Sequence, residues 1–467
     1  MIQKLGGIQL MRSVKTLVYT ALILGIALYL RLRFIIYTPF EFKIDAWSMY
    51  NYALNVMNGE YYGHSFGEHW SRYAYWPPLY IFLSGFIYRF FGTAQDFIVM
   101  RVIQAGFSAV SCLLCFITAR EALRDYSDLH EEAGLTAGIL MALNTRMVAY
   151  TNHLYAETVF ITIYLAAVYF TLRYFKDEMS LKLSRSNGFA QVKHLVLFSI
   201  FLGLGNLTRP VLLLLPAVLL ISGLFFIAAR RFNICRGIKV LAADGALSLL
   251  IMLAVLSPWI LRNYAVTGRL ILIDTNGPIN FYIAHNPHSN GTWTDVKKSR
   301  SDMLRLYETG YKEGLVYISN NISREIDLLN VKQRLFLYHG DYHISEAEVY
   351  LSRTYKLPLY GSLIKMGIVG KDILENPYRL PQMSFEFLWK SALLLLVLFI
   401  LRLMAARSLY LLFCEPAWII GNFLYMNLII LIFYYAPRYR ITAEPFLCIL
   451  IGILLAGIFT SYKNNAT

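Results

Sequence analysis

Charge is scarce in this chain: only 15% of its 467 residues are Asp, Glu, Lys or Arg, against 57% that are apolar. At a mean hydropathy of +0.49 there is too little polar surface to cover a water-soluble globule, so lipid must be part of the solvent. Acidic residues are scarcer than basic ones, 29 against 43. The net charge of +14 nevertheless does not point to nucleic acid, because the Lys and Arg residues gather in short loops between apolar runs, where they hold cytoplasmic loops in place. Cysteine is rare as well. Cys112, Cys115, Cys235, Cys414 and Cys448 lie in or beside apolar helices; the CxxC of Cys112 and Cys115 has no second pair and reads as small packing residues rather than a redox or metal centre. There is no HExxH or comparable ligand spacing, no internal repeat and no low-complexity tract. The first apolar stretch is too long for a signal peptide and lacks a small-residue cleavage site, so it reads as a first span.

What the chain has is apolar length. Runs such as 16–30, 243–261, 391–401 and 446–460 approach or reach the roughly 18–20 residues a helix needs to cross about 30 Å of hydrocarbon. The pattern predicts an all-α polytopic membrane protein with about ten transmembrane helices, over residues 14–36, 97–120, 133–152, 156–175, 194–209, 210–229, 238–261, 387–405, 408–435 and 442–460. The segment 76–91 is short and opens with Trp76-Pro77-Pro78. If it does not span, Lys4, Arg12 and Lys15, the stretch Lys176, Lys182, Arg185, Lys193, and the cluster Arg230, Arg231, Arg236, Lys239 all fall on one side. That parity makes it an outer-face juxtamembrane helix and leaves both termini cytoplasmic.

The same parity divides the chain into an N-terminal transmembrane module (1–261, with a first outer loop over about 38–96), an extracytoplasmic segment (262–386) and C-terminal transmembrane helices (387–467). The 262–386 segment runs from strand-like Arg269–Asp274 through turn signals at Asn276-Gly277, Asn286-Pro287 and Asn290-Gly291 into helical patterns. It is expected to form a small mixed α/β unit.

Polar residues at the outer helix ends carry the functional signal. Asp45 follows the first span and precedes an amphipathic helix, Trp47 to Asn58, closed by Gly59; it serves either the helix start or chemistry at the lipid head-group level. Glu157 ends Tyr150-Thr-Asn-His-Leu-Tyr-Ala at the mouth of the fourth span, where a hydrated helix end is the bland alternative. Two carboxylates on one face suit proton abstraction from an acceptor hydroxyl together with orientation of substrate or of a divalent cation. Arg209, Arg262, Arg438 and Arg440 fall at outer helix ends too, where their planar forks suit phosphate; the alternative is snorkelling to lipid head groups. His153, His285 and His288 are outer-side residues without metal-ligand spacing, and the sequons at Asn290 and Asn321 are triplets that chance produces often.

In order along the chain, the matching positions are Asp45; Gly59 with Tyr75-Trp-Pro-Pro-Leu-Tyr80; Arg101 with Gln104; Tyr155-Ala-Glu157; Leu207-Thr-Arg-Pro210; Pro258-Trp-Ile-Leu-Arg-Asn263 with Gly268; Asn276-Gly277; His285-Asn-Pro287; and Arg438-Tyr-Arg440. This series resembles the polytopic glycosyltransferases of the C superfamily (GT-C), which use polyprenyl-phosphate sugars and include protein O-mannosyltransferases and the lipid A aminoarabinose transferase. The resemblance implies a catalytic Asp45, a second acidic residue at Glu157, and a donor phosphate gripped by Arg209, Arg262, Arg438 and Arg440. It further implies a substrate pocket drawn from Tyr75, Trp76, His153, Tyr155, Asn263, Asn286 and Tyr439. The expected reaction is transfer of a sugar from a polyprenyl-phosphate donor in the bilayer to a protein, lipid or cell-envelope polymer acceptor. It would proceed with inversion, at the outer side of a plasma (inner) membrane. Tyr75-Trp76 stands where the aminoarabinose transferase has an acidic-basic pair, which leaves a metal and a lipid A acceptor without support. The rival class is a transporter or flippase of a lipid-linked saccharide, which predicts ionisable residues deep in the spans and broken helices in paired halves.

Overall fold

The computed structural model describes residues 2–38, 40, 44–60, 62–63, 74–125, 127–184, 192–294, 300–338 and 415–459. Apolar length sets the architecture. Five helical runs are long and apolar enough to cross a membrane: Val14–Tyr37, Phe97–Leu123, Glu157–Ser184, Pro210–Ala229 and Ile234–Thr267. They lie in α1 (Ile2–Tyr37), α4 (Ala94–Leu123), α7 (Glu157–Arg173) with its π-helical continuation and α8 (Ser180–Ser184), α10 (Leu215–Ala229), and α11 (Ile234–Thr267). Four further apolar helices are shorter: α3 (Pro78–Phe91), α9 (Lys193–Thr208), α15 (Glu415–Ile432) and α17 (Glu444–Phe459). The chain is thus an integral membrane protein, with five of the ten expected spans reaching full length among the described residues. The expected span 387–405, the start of 408–435, Cys414 and residues 339–386 lie outside the described residues.

One expected span is broken for a local reason. The run 133–152 divides into α5 (His130–Leu143) and α6 (Thr145–Ala149). Between them the side-chain oxygen of Asn144 accepts from the N–H groups of Arg146 at 3.0 Å and Met147 at 3.2 Å. An Asn N-cap inside an apolar run starts a new helix where hydropathy alone continues the old one.

The run Glu157–Ser184 is the central helix, 83% buried against 28% for α11 and 33% for α1, with α4 and α9 packed along it. α7 and α9 are antiparallel, so Glu157 meets Arg209 at one end while Glu178 meets His194 at the other. The helix between the two carboxylates is roughly 30 Å long at 1.5 Å per residue, close to the hydrocarbon thickness. The second charged end also holds Lys182 on Asp244 at 2.7 Å and Lys176 on Asp125 at 2.8 Å. Two charged ends and an apolar middle are the distribution that a bilayer imposes.

Two buried arginines are explained by helix ends. Arg31 donates to the carbonyls of Met141 and Ala142, the last turn of α5, and to Ser108 Oγ at 2.7 Å. Arg101 donates to the Ile35 carbonyl at the end of α1. Each places positive charge on carbonyls that the helix itself leaves open.

After the first span, α2 (Ile44–Met57) packs against α3. Gly85 makes that approach possible, since a Cβ there would stand 3.0 Å from the Ala53 carbonyl oxygen. At 14 residues, α3 is too short to span and exposes Phe82, Phe86, Phe90 and Phe91.

Of the expected mixed α/β unit, the described residues show helices and irregular chain. After α11 the described residues hold α12 (Asn276–Ala284), α13 (Arg300–Asn320) and α14 (Ile322–Tyr338). The described residues contain one isolated bridge, Thr292 with Tyr435, and no named strand. The alternation in Arg269–Asp274 is real, with Ile271 and Ile273 buried and Leu270 and Leu272 exposed. Its carbonyls, however, are satisfied by side chains rather than by a neighbouring strand. Trp259 Nε1 donates to Ile273 O at 2.6 Å, and Asn263 Nδ2 to Ile271 O at 3.1 Å. The segment is extended chain laid on the end of α11.

Candidate active site

A cavity of about 870 Å³ opens at the end of the bundle where Glu157 lies. One wall is apolar, made by Leu213 and Leu214 before α10 and by Tyr425, Met426, Ile429 and Phe433 on and after α15. The cavity's polar lining groups come from Trp76, Glu157, Arg209, Arg269, Asp274, α12, α13 and the short helix α16 (Pro437–Arg440).

Glu157 occupies the first turn of the central helix, and the turn before it is held by Gln104. The Gln104 amide donates to the carbonyls of Thr151 at 3.1 Å and His153 at 2.8 Å, and its oxygen accepts from Tyr80 Oη at 2.8 Å. Glu157 then meets Arg209 at 2.6 Å, where α9 ends. Asp45, in the first turn of α2, is ion-paired with Arg438 of α16. The two arginines share a ring, with Arg209 5.1 Å and Arg438 5.4 Å from the centroid of Tyr439. Burial disfavours the Arg438 charge, but Tyr439, Asp45 and Glu157 outweigh it and hold the guanidinium protonated more firmly than usual.

Asp45 does not itself line the cavity; it meets it through Arg438, with its side chain 34% exposed on the far side. Trp76 lines the cavity, fixed by Nε1 donating to Ser48 Oγ at 3.0 Å. Tyr75 stacks edge-on against Trp76, and burial, then the charge of Asp45, pushes its phenol up. Glu157, Arg209, Arg438, Tyr439 and Trp76 thus line one space, with Asp45 joined to it through Arg438 and Tyr75 through Trp76.

The remaining expected residues sit elsewhere and have other partners. The Arg262 guanidinium lies over Trp259 at 4.9 Å and Tyr62 at 5.4 Å, outside the cavity lining. Arg440 is buried beside Glu444, a carboxylate that also takes Arg146 at 2.5 Å and Asn144 at 2.7 Å. That cluster ties α6 to α17. Asn263 holds the extended segment, and Asn286 closes α12 by donating to the carbonyls of Tyr282 and Ile283. His153 and Tyr155 pack on Tyr150. His285 bridges Glu325 at 2.8 Å and the Ile432 carbonyl at 2.7 Å, which docks α12 and α14 on the end of α15.

No family model matches the chain, and no curated protein sequence matches it. Among solved structures it is similar to the Archaeoglobus fulgidus oligosaccharyltransferase tethered to an acceptor peptide containing the NVT sequon. The identity is 14% and the TM-score 0.49, over 94% of this chain and 49% of that one. It is similar to the oligosaccharyltransferase AglB of the same organism in complex with an inhibitory peptide and a dolichol-phosphate, at 14% identity and a TM-score of 0.49 over 94% and 50%. The chain thus spans about half the length of these two. A further similarity is to ArnT from Cupriavidus metallidurans bound to undecaprenyl phosphate, at 13% identity and a TM-score of 0.39 over 95% of this chain and 77% of that one.

Among the described residues no three His, Cys, Asp or Glu side chains stand together as metal ligands. Asp45 and Glu157 are each engaged by an arginine. A divalent ion placed between them would face two guanidinium groups, so this donor set as arranged does not fit one.

Sequence reasoning missed Asp274. It lies on the cavity wall, and its Oδ1 accepts from the Asn276 N–H at 3.2 Å. Burial pushes its carboxyl up to about 7, against the pull of the Asn276 and Gly277 N–H groups and the charge of Arg209. The available signal was Asn276-Gly277, read as a turn; it opens α12, and Gly277 is there for close approach. A Cβ at Gly277 would stand 2.6 Å from Tyr311 Oη.

Proposed function

We propose that this chain is a membrane glycosyltransferase that moves a sugar from a polyprenyl-phosphate donor to an acceptor hydroxyl at the outer face of the plasma membrane, with inversion. The observation that carries the reading is the pair of arginines, Arg209 and Arg438, on one ring of a cavity that is otherwise lined largely by apolar side chains. Apolar wall and paired guanidinium groups are the two halves of a lipid phosphate. The isoprenoid lies toward α15 and α10, and the phosphate takes the forks of Arg209 and Arg438.

In this mechanism the phosphate competes with Asp45 for Arg438. Once the phosphate holds the guanidinium, the Asp45 carboxylate is free on its exposed side, where an acceptor arrives from water. The acceptor oxygen attacks the anomeric carbon as the bond from that carbon to the phosphate oxygen breaks. The acceptor proton goes to Asp45, and the bonding pair leaves on polyprenyl phosphate. Negative charge therefore develops beside the arginines, whose positions are already set, which is where preorganised charge lowers a barrier. Glu157 fixes the orientation of Arg209. The deciding assay incubates purified protein with a panel of polyprenyl-phosphate sugars and follows release of polyprenyl phosphate. Transfer by the native chain, abolished in Asp45→Asn with donor binding retained, is the expected result. Movement of intact donor across vesicles without release would replace the enzyme with a flippase.

A further inference from the structure

The cavity lining holds two carboxyls that the mechanism above does not use, Glu308, which is paired with Arg269, and Asp274. Asp274 ends the extended segment, and it is held from both directions. Before it, the Ile271 and Ile273 carbonyls are held by Asn263 and Trp259. After it, the Thr275 N–H donates to the Ala74 carbonyl at 2.8 Å, which joins the segment to the strip carrying Tyr75 and Trp76. Asp274 is thus a placed group rather than a loop residue free to turn to water.

Its surroundings are those of a hydroxyl-binding site. Arg209, the arginine assigned to phosphate, is close enough to act on its charge, so a sugar attached to that phosphate reaches it. Asn276, Asn280 and Tyr311 stand beside it on the same wall. The Asn276 Oδ1 is buried with no hydrogen-bond partner among the described residues, a condition that a bound hydroxyl or water relieves. A carboxylate accepts two hydroxyl donors at once, one on each oxygen.

We propose that Asp274 is the sugar-reading residue of the donor site, its carboxylate accepting hydrogen bonds from two neighbouring hydroxyls of the transferred sugar while Arg209 and Arg438 hold the phosphate. The inference rests on the reading of the cavity as a polyprenyl-phosphate site. The substrate class is a sugar with an unsubstituted pair of adjacent hydroxyls. A site built to bind such hydroxyls rejects analogues lacking one, because its own buried polar groups are then left without partners.

The titratable and charged groups facing Asp274 are Arg209 at the end of α9 with Glu157 bound to it, Tyr62 from the first outer loop, and Tyr311 from α13. The Arg269–Glu308 pair lies farther along the same wall. Burial, the largest cause, pushes both phenols up, away from neutrality, whereas the Asp274 carboxyl sits at about 7. Above that value it is charged and accepts two hydroxyls; below it, one oxygen carries a proton and the pair is lost.

The test measures binding of two probes by intrinsic tryptophan fluorescence, undecaprenyl phosphate alone and a set of undecaprenyl-phosphate hexoses, for the native chain and Asp274→Asn between pH 6 and 8. Asparagine retains the Oδ1 that accepts from Asn276, so the variant keeps the start of α12, and its melting temperature checks this. We expect undecaprenyl phosphate to bind both proteins alike. At least one hexose donor should bind Asp274→Asn about tenfold more weakly, with KM for it raised more than kcat is lowered. The native preference for that donor over the bare lipid phosphate should grow as pH rises through 7, and the variant should show no such growth. If both proteins discriminate the probes equally, or the variant loses both equally, the sugar assignment fails and the phosphate site stands. If the native chain binds neither probe, the donor-site reading fails and takes this inference with it.

Discussion

Asp45 and Arg438, 393 positions apart in the chain, are ion-paired. On the proposed mechanism the base is held by the arginine that takes the phosphate, so that mechanism requires donor to bind before acceptor.

Arg438→Lys keeps the charge but loses the planar fork that serves carboxylate and phosphate together. We expect kcat/KM to fall about 10²-fold, with undecaprenyl phosphate binding weakened as well. In native protein, product inhibition patterns should report donor first and acceptor second. A random-order pattern would show that Asp45 is available to acceptor before the phosphate arrives.

Glu157 and Arg209 should separate stability from activity. Both side chains are largely buried, at 4% and 14% exposure, so removing one partner leaves the other charged without compensation. Arg209→Gln is expected to lose roughly 3 kcal/mol, read as a lower melting temperature in detergent. The double variant Glu157→Gln with Arg209→Gln should recover most of that loss and none of the transfer. Recovery of transfer in the double variant would remove Arg209 from the phosphate site.

Glu444 is a structural hub rather than a site residue. It is fully buried and serves Arg146, Asn144 and Arg440. Glu444→Gln should cost roughly 3 kcal/mol or more by stranding buried positive charge. KM for the donor in the folded fraction should not change. Arg440→Lys likewise should move the melting temperature and leave donor KM near the native value; an increase matching that of Arg438→Lys would place Arg440 in the donor site after all.

Asn263→Ala uncovers the Ile271 carbonyl, and that of Ile273 in part. A buried acceptor left unmade costs about 1–3 kcal/mol, and the segment carrying Asp274 loosens. Donor KM should rise while binding of undecaprenyl phosphate alone stays close to native. Equal loss of both probes would mean that the segment holds the whole cavity rather than its sugar end.

Much of this protein is legible along the chain because the responsible forces are local. The spans Val14–Tyr37, Phe97–Leu123 and Ile234–Thr267 were evident from apolar length, and α2 from its period and the glycine at 59, whose φ is +75°. The Asn144 cap was equally local but lay hidden in hydropathy, which does not register a side-chain oxygen that takes two backbone N–H groups. The alternation of Arg269–Asp274 was read as strand-like, and its in-out pattern is present without a strand. Its neighbour was misread, because a strand and a side-chain cradle impose the same in-out pattern.

By itself the sequence determined that the chain lives in lipid, that its polar residues collect at helix ends, and that Asp45, Glu157 and the arginines belong to one motif series. Length, period and charge parity are sums over neighbouring residues, and they need no fold. Only the tertiary structure decided which arginines share the cavity. Arg438 and Arg440 are two positions apart, yet one meets Asp45 and the other is buried beside Glu444. On a short helix such as α16 a two-residue step turns a side chain to another face, and what that face meets is settled by contacts hundreds of residues distant.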